Sequence, residues 1–284
     1  MKKYKKCFFS TFNALILVFI VFSCVCSSNI VSPQSFADNS PITVDDDGDG
    51  DFQNIQKAID LANSGDVIKV YSGRYTEDVL ISKPLSLIGV EKELGEGNDT
   101  GKPLLVGDRM AIHIFHTHTV EVSNFSIQDS RFGIAINCSS NCTIKGNYIS
   151  NNKDGIFRLG KFSDIIWGRK IVDITLKENH IINNGMGIGA VFTFSGLIEG
   201  NNIAYNKQGG LAAMFSGNIL VKENNFIENG KSCGSYSVTQ AMSFLSSSSF
   251  SHNFWSDWQK DTPREIPLFK KDRNPADEPY DIPV

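Results

Sequence analysis

Three groups of side chains in this sequence have the types and spacing of working chemistry. The first is acidic: residues 45 to 51 read Asp-Asp-Asp-Gly-Asp-Gly-Asp. With Asp45 taken as first, Asp47 is third, Asp49 fifth and Gly50 sixth. Carboxylates at alternate positions with a sixth-position glycine match the front of a calcium loop, where they converge on one hard cation. Asp45, Asp47, Asp49 and Asp51 are therefore the candidate metal ligands and Ca2+ the candidate ion. Gln56 stands at the twelfth position, where such a loop needs a bidentate carboxylate. The same run also reads as a solvated acidic turn that caps the helix after it.

The second group is basic and aromatic. Arg158, Lys161, Arg169 and Lys170 surround Trp167. An indole flanked by cations suits stacking on a sugar ring beside an acidic group. Arg158, Trp167, Arg169 and Lys170 are the candidate ligand-binding residues, the competing reading being a solvated loop whose Trp covers the core. Asp154, Asp164 and Asp173 lie nearby. Nothing in their spacing selects the two carboxylates, or the base beside a charge-neutralising group, that cleavage of a polysaccharide requires. The third group is His113, His116 and His118 in one expected strand. Alternation puts His116 and His118 on one face and His113 on the other, so at most two share a metal, and no Met or Cys accompanies them as soft copper sites require.

The elements that must position these groups come from a repeat. An aliphatic residue, Ile or Phe five positions on, and usually Asn three further recur as Val120/Phe125/Gln128, Ile144/Ile149/Asn152, Leu176/Ile181/Asn184, Ile198/Ile203/Asn206 and Val221/Phe226/Asn229. The period is about 22 to 24 residues with one long gap, which is a solenoid period, and β-branched residues two apart with Asn and Gly at the corners suit one coil of a parallel β-helix. The expected fold is all-β: a single-stranded right-handed parallel β-helix over residues 38–258. Phe125, Ile149, Ile181, Ile203 and Phe226 should form one inward column, and Asn152, Asn184, Asn206 and Asn229 one hydrogen-bonded ladder. The gap between Ile149 and Ile181 leaves extra residues around 158–170 that no coil needs, and such insertions protrude on one side. Ahead of the coils, Ile55, Ala58, Ile59 and Ala62 recur at helical spacing behind Asp51 or Asn54 as cap. This helix should close the open end of the solenoid.

Residues 1–37 hold four lysines before an apolar run from Phe8 to Val25, then Ser35-Phe36-Ala37. That is an export signal, cleaved or kept as a membrane anchor, with Cys24 a further possible lipid-attachment point. Without it, 27 basic against 31 acidic residues become 23 against 31, about −8. An acidic, exported chain argues for an extracellular, surface or periplasmic location and against nucleic acid as a partner. Cys138 and Cys142 are close enough in sequence to close a small loop, leaving Cys233 over. Beyond Trp258, Asp-x-Pro-x-x-Ile-Pro occurs at 261 and again at 277. This makes 259–284 a Pro-rich tail that lies along the solenoid or stays mobile.

Three segments carry a resemblance. They are Gly-Asp-Phe-x-x-Ile-Gln-x-Ala-Ile-Asp-x-Ala at 50–62, Ser-Gly-Asp-x-Ile-x-Val-Tyr-x-Gly-x-Tyr-x-Glu at 64–77, and Lys-Pro-Leu-x-Leu-Ile-Gly at 83–89. Together they resemble the opening of the pectin-lyase-like β-helix superfamily. The later coils and Asn253-Phe254-Trp255-Ser256-Asp257-Trp258 are similar to its NosD-like, carbohydrate-binding and sugar-hydrolysis branch. Gly73, Tyr75 and Glu77 match the first motif of pectin methylesterases. The paired catalytic aspartates of that family, the Arg-x-Pro-x-x-Arg of pectate lyases and the aspartate pair of polygalacturonases have no counterpart here. With the export signal, the resemblance implies a monomeric exported β-helix that binds glycan, acidic glycan included, or forms part of the cell surface. The alternatives are a polysaccharide lyase, hydrolase or epimerase, and an accessory factor for metal-centre assembly.

Overall fold

Each coil is built from three short strands joined at corners in left-handed backbone, His116, Cys138 and Phe192 marking the one after the third strand. In one coil Ser140–Lys145 turns at Gly146 (φ 65°) into Tyr148–Ser150, then at Asn151 (φ 57°) into Asp154–Leu159. Asn124, Glu178, Gly200 and Glu223 repeat the first corner, and Asp129, Asn183, Tyr205 and Glu228 the second, all with positive φ. Asn, Asp and Gly tolerate this geometry, and a single such residue bends the chain without breaking strand pairing. The computed structural model describes residues 40–160, 174–214, 216–230, 236–238, 248–257, 264–266 and 270–283.

Stacked coils form three sheets of eleven, eight and seven strands among the described residues, here termed A, B and C in the order the chain visits them. Pairing is parallel throughout, save that Arg264–Ile266 runs antiparallel to Lys270–Asp272 at the end of sheet A. Inward side chains are dry: Val122, Ile127, Ile144, Ile149, Ile181 and Ile203 have no exposed surface. Each such residue stabilises the fold by roughly 1.5–3 kcal/mol. The seven-residue helix Ile55–Leu61 lies where the sequence placed it, with Asn54 accepting from Lys57 N at 3.0 Å and Ile55, Ala58 and Ile59 buried. No helix among the described residues is long and apolar enough to cross a membrane.

The expected column needs one correction. Ile149, Ile181, Ile203 and Phe226 do stack, but their partner in the preceding coil is Ile127, not Phe125, and the column continues to Trp255. Phe125 is also wholly buried, two positions earlier, so it keeps the inward face while the register moves by one alternation. The first repeat is thus Val122/Ile127/Ser130, and Ser130 N donates to Asn152 Oδ1 at 3.0 Å.

The Asn ladder at the B–C corner is present: the Nδ2 groups of Asn152, Asn184 and Asn206 donate to the next Asn Oδ1 at 3.1, 3.1 and 2.9 Å. A second ladder, not anticipated, runs at the A–B corner through Asn147, Asn179, Asn201, Asn224 and Asn253, with Nδ2–Oδ1 distances of 3.1, 2.9, 2.9 and 3.0 Å. Asp272 terminates it, its Oδ2 accepting from Asn253 N, Asn253 Nδ2 and Trp255 Nε1 at 3.0, 3.0 and 3.2 Å. The B–C ladder is flanked by a column of glycines. A Cβ on Gly155 would lie 2.7 Å from Gly187 O and 3.1 Å from Asn184 Nδ2, so any side chain there pushes the coils apart. Cys138 and Cys142 are not bridged to each other, and the Cys142 thiol points into the core.

Candidate functional site

The motif shared with the esterases proves to be framework. Glu77 accepts from Ile55 N and Gln56 N, both at 2.9 Å, holding the start of the helix with its two carboxylate oxygens. Buried Tyr75 donates its hydroxyl to Tyr71 O at 3.0 Å. Gly73 (φ 145°) leaves room for the Asp46 carboxylate, which a Cβ would strike. Gln56, the deficient twelfth position, belongs to the helix and exchanges hydrogen bonds with Leu80 N and O at 2.6 and 3.3 Å.

The four candidate metal ligands divide into two that turn away, Asp49 and Asp51, and two that meet Glu93, Asp45 and Asp47. Asp51 faces back to the first strand, its Oδ2 accepting from Thr43 N and Oγ1, both at 2.8 Å. Asp49 Oδ2 accepts from Glu96 N at 3.1 Å. Asp47 instead meets Glu93 and Asp99, with carboxylate oxygens all within 4.8 Å of one another. Asp45 is wholly buried, and its carboxylate lies within hydrogen-bonding reach of Glu93. Burial, then the adjacent Glu93 and Asp46 carboxylates, push its carboxyl up to about 6. Partial desolvation and the charges of Asp46, Glu93 and Asp99 also raise Asp47. Glu93 is held below the usual carboxylate range, chiefly by the N–H of Asp99 and also by that of Leu94. Glu93 and Asp99 were not in the expected set because they lie some fifty residues on in the chain, outside any local motif.

Arg158 corrects the expectation for the basic group. It is not part of a protruding insertion: it sits in the strand Asp154–Leu159, paired between Ile136 and Ala190 of the neighbouring coils, and is 2% exposed. The small Ala190 side chain in the next coil makes room for it, and its Nη2 donates to Ser139 O at 3.2 Å. It therefore builds the core rather than offering a charge to a ligand. Trp167, Arg169 and Lys170, and with them Asp164 and Asp173, lie outside the described residues.

An aromatic and charged group does occur in the coils just before residue 161. The Arg131 guanidinium lies 5.6 Å from the centre of the Phe132 ring, and Phe132 meets Phe157 with ring centres 5.4 Å apart. Asp154 pairs with Phe132 across the sheet. Burial raises its carboxyl while the charges of Lys153 and Arg131 act against that rise. Asp154 stands beside the irregular segment in the sequence, whereas Arg131 and Phe132 become neighbours of Phe157 only through coil stacking.

The histidines do not share a strand. His113 lies in Met110–Phe115, His116 (φ 51°) is the corner, and His118 opens the next strand. The corner cancels the alternation on which a His116–His118 pair depended. The second Asp-x-Pro-x-x-Ile-Pro copy lies along sheet B. Tyr280 N and O bond the Asn225 side chain, both at 2.8 Å, and the His180 ring nitrogen meets Ile282 O at 3.0 Å.

The fold described by these coils has known relatives. YbhC from Escherichia coli is 10% identical with a TM-score of 0.54, over 81% of this chain and 74% of that one. The rice weevil pectin methyl esterase is 11% identical with a TM-score of 0.52, over 79% of each. At such identities the likeness is one of fold. No curated protein matches the chain. The family described as the right handed beta helix region matches residues 110–259, more than half of the 284, and the chain belongs to this right-handed β-helix family.

Proposed function

We propose that this chain is an exported β-helix protein that binds an acidic glycan beside the start of the 161–173 segment. The observation that carries the reading is the Arg131–Phe132–Phe157 group, with Lys153 and Asp154 beside it. Aromatic faces pack on the apolar faces of sugar rings, and cations pair with uronate carboxylates. In an acidic chain this local positive charge also steers an acidic polymer toward one place. Trp167, Arg169 and Lys170 follow directly in sequence and extend the same chemistry. The fold shared with a pectin methyl esterase supports a polysaccharide ligand, and residues 1–37 support export. Affinity electrophoresis of the purified protein through polygalacturonate and alginate tests the reading. Retardation in the acidic gels should be lost in Trp167→Ala/Arg169→Ala and weakened in Arg131→Ala; equal mobility of parent and variants in every gel would overturn it.

A second reading is favoured by Asp154. A carboxyl raised by burial and placed beside cations is the kind of group that serves as a general acid, which fits a polysaccharide-active enzyme. Loss of turnover in Asp154→Asn with glycan retention unchanged would favour catalysis over binding alone.

A further inference from the structure

We propose that Asp47, Glu93 and Asp99, with the buried Asp45 carboxylate behind Glu93, form a calcium site that ties the acidic turn at 45–51 to the loop at 93–99. Asp47, Glu93 and Asp99 each bring a carboxylate oxygen within 4.8 Å of the others. Calcium takes six to eight oxygen ligands at about 2.3–2.6 Å in flexible geometry, so oxygens this close can share one ion, whereas magnesium dehydrates reluctantly and is seldom held by carboxylates alone. A carboxylate set of this kind suits calcium.

Asp45 supplies the independent observation. Its side chain is wholly buried, its Oδ1 has no hydrogen-bond donor, and its carboxylate faces that of Glu93. A buried carboxylate oxygen without a donor is a rarity that asks for a cation or a proton. Among the described residues, no Lys, Arg or His forms an ion pair with any of these four acids.

The surrounding backbone holds the carboxylates in place. Glu93 Oε1 accepts from Leu94 N and Oε2 from Asp99 N, both at 2.9 Å. Gly97 gives the oxygens space: a Cβ there would lie 2.5 Å from Glu93 Oε2 and 2.8 Å from Asp47 Oδ2. A contiguous calcium loop would place its bidentate carboxylate at the position of Gln56. Here Glu93 provides that charge from the segment that follows Leu85–Val90, a strand of the same sheet as Ile42–Val44, so the half-motif at 45–47 is completed in space rather than in sequence.

The test uses terbium as a luminescent calcium substitute, with the nearby Tyr75 as a sensitiser. In the purified protein, Tb3+ emission excited through tyrosine should saturate, and calcium should displace the ion at concentrations at least about tenfold below magnesium, which dehydrates reluctantly into an all-carboxylate site. Glu93→Gln and, separately, the milder Asp47→Asn should each weaken Tb3+ binding at least about tenfold, since ligand charge sets affinity. Glu228→Gln, in a distant coil, should not. Calcium should also raise the melting temperature of the parent and not that of Asp47→Asn. Absence of sensitised emission, displacement by magnesium as readily as by calcium, or parental affinity in a folded Asp47→Asn would each overturn the site.

Discussion

Single residues in this molecule differ in whether their neighbours can release them. His113 is 9% exposed with Asn137 Nδ2 3.1 Å from its Nε2 and the Phe115 ring 5.1 Å away. An amide donating to Nε2 requires that nitrogen to be unprotonated. Burial accordingly lowers the imidazole to about 4. Because the folded pKa lies below the unfolded one of about 6.5, the neutral ring contributes stability that is full above pH 6.5 and is lost as pH falls toward 4. The shift corresponds to about 3 kcal/mol. The urea midpoint of the parent should therefore fall more between pH 7 and pH 4.5 than that of His113→Gln, and parallel losses would show that the ring is not held neutral. Asn184 makes a different commitment. Its amide bonds Ile149 O, Ile182 O and Asn206 Oδ1 while its oxygen accepts from Asn152, so Asn184→Ala orphans groups in both adjacent coils. It should cost about 1 to 3 kcal/mol in chemical denaturation. Arg158→Ala should likewise register as a stability loss, about 2 to 4 kcal/mol, through the core space it vacates.

At the scale of elements, the sequence was informative where a pattern repeats and misleading where one instance was degenerate. Asn152, Asn184, Asn206 and Asn229 were legible as a ladder because they share an offset from an aliphatic residue. The second ladder had an equally regular signal, Asn two positions before Ile149, Ile181, Ile203, Phe226 and Trp255. It went unread because Phe125 occupies its place in the first coil and also passes for a member of the Ile column. Arg158 was misplaced for the opposite reason. A charge next to an irregular segment reads as exposed, and only coil stacking reveals that Ile136 and Ala190 flank it. The helix was legible from its spacing, but its anchor was not, since Glu77 lies some twenty residues from the N–H groups it accepts. Glu77→Ala should lower stability by about 1 to 3 kcal/mol, the cost of exposing two helix-end donors without a charged acceptor. Its thermal unfolding should show this loss while Tb3+ binding at the neighbouring loop is retained.

The whole molecule is a one-dimensional stack, so local damage is carried only to neighbouring coils. Along sheet A this is visible as ion pairs that reach from coil to coil, Lys177 and Lys222 both meeting Glu199, although such exposed pairs contribute little. The C-terminal segment is different because it crosses several coils at once. From Ala276, which bridges Phe254, it passes the Asn225 side chain and ends against His180, with Ile282 9% exposed and the Tyr280 hydroxyl 2.6 Å from His252 O. A strap that spans the coils of His180, Asn202, Asn225 and Phe254 should make them open as one unit rather than fray singly. Removing residues 276–284 takes away the Asn225 and His180 hydrogen bonds and uncovers the Ile282 contact, at about 1 to 3 kcal/mol in all. The loss should be regional. Amide hydrogen exchange in the strapped strands of sheet B should accelerate, while strands of the first coils, such as Val67–Tyr71, keep their protection. Uniform acceleration along the solenoid would mean that the stack unfolds as a single cooperative body, and unchanged exchange would mean that the strap rests on sheet B without holding it.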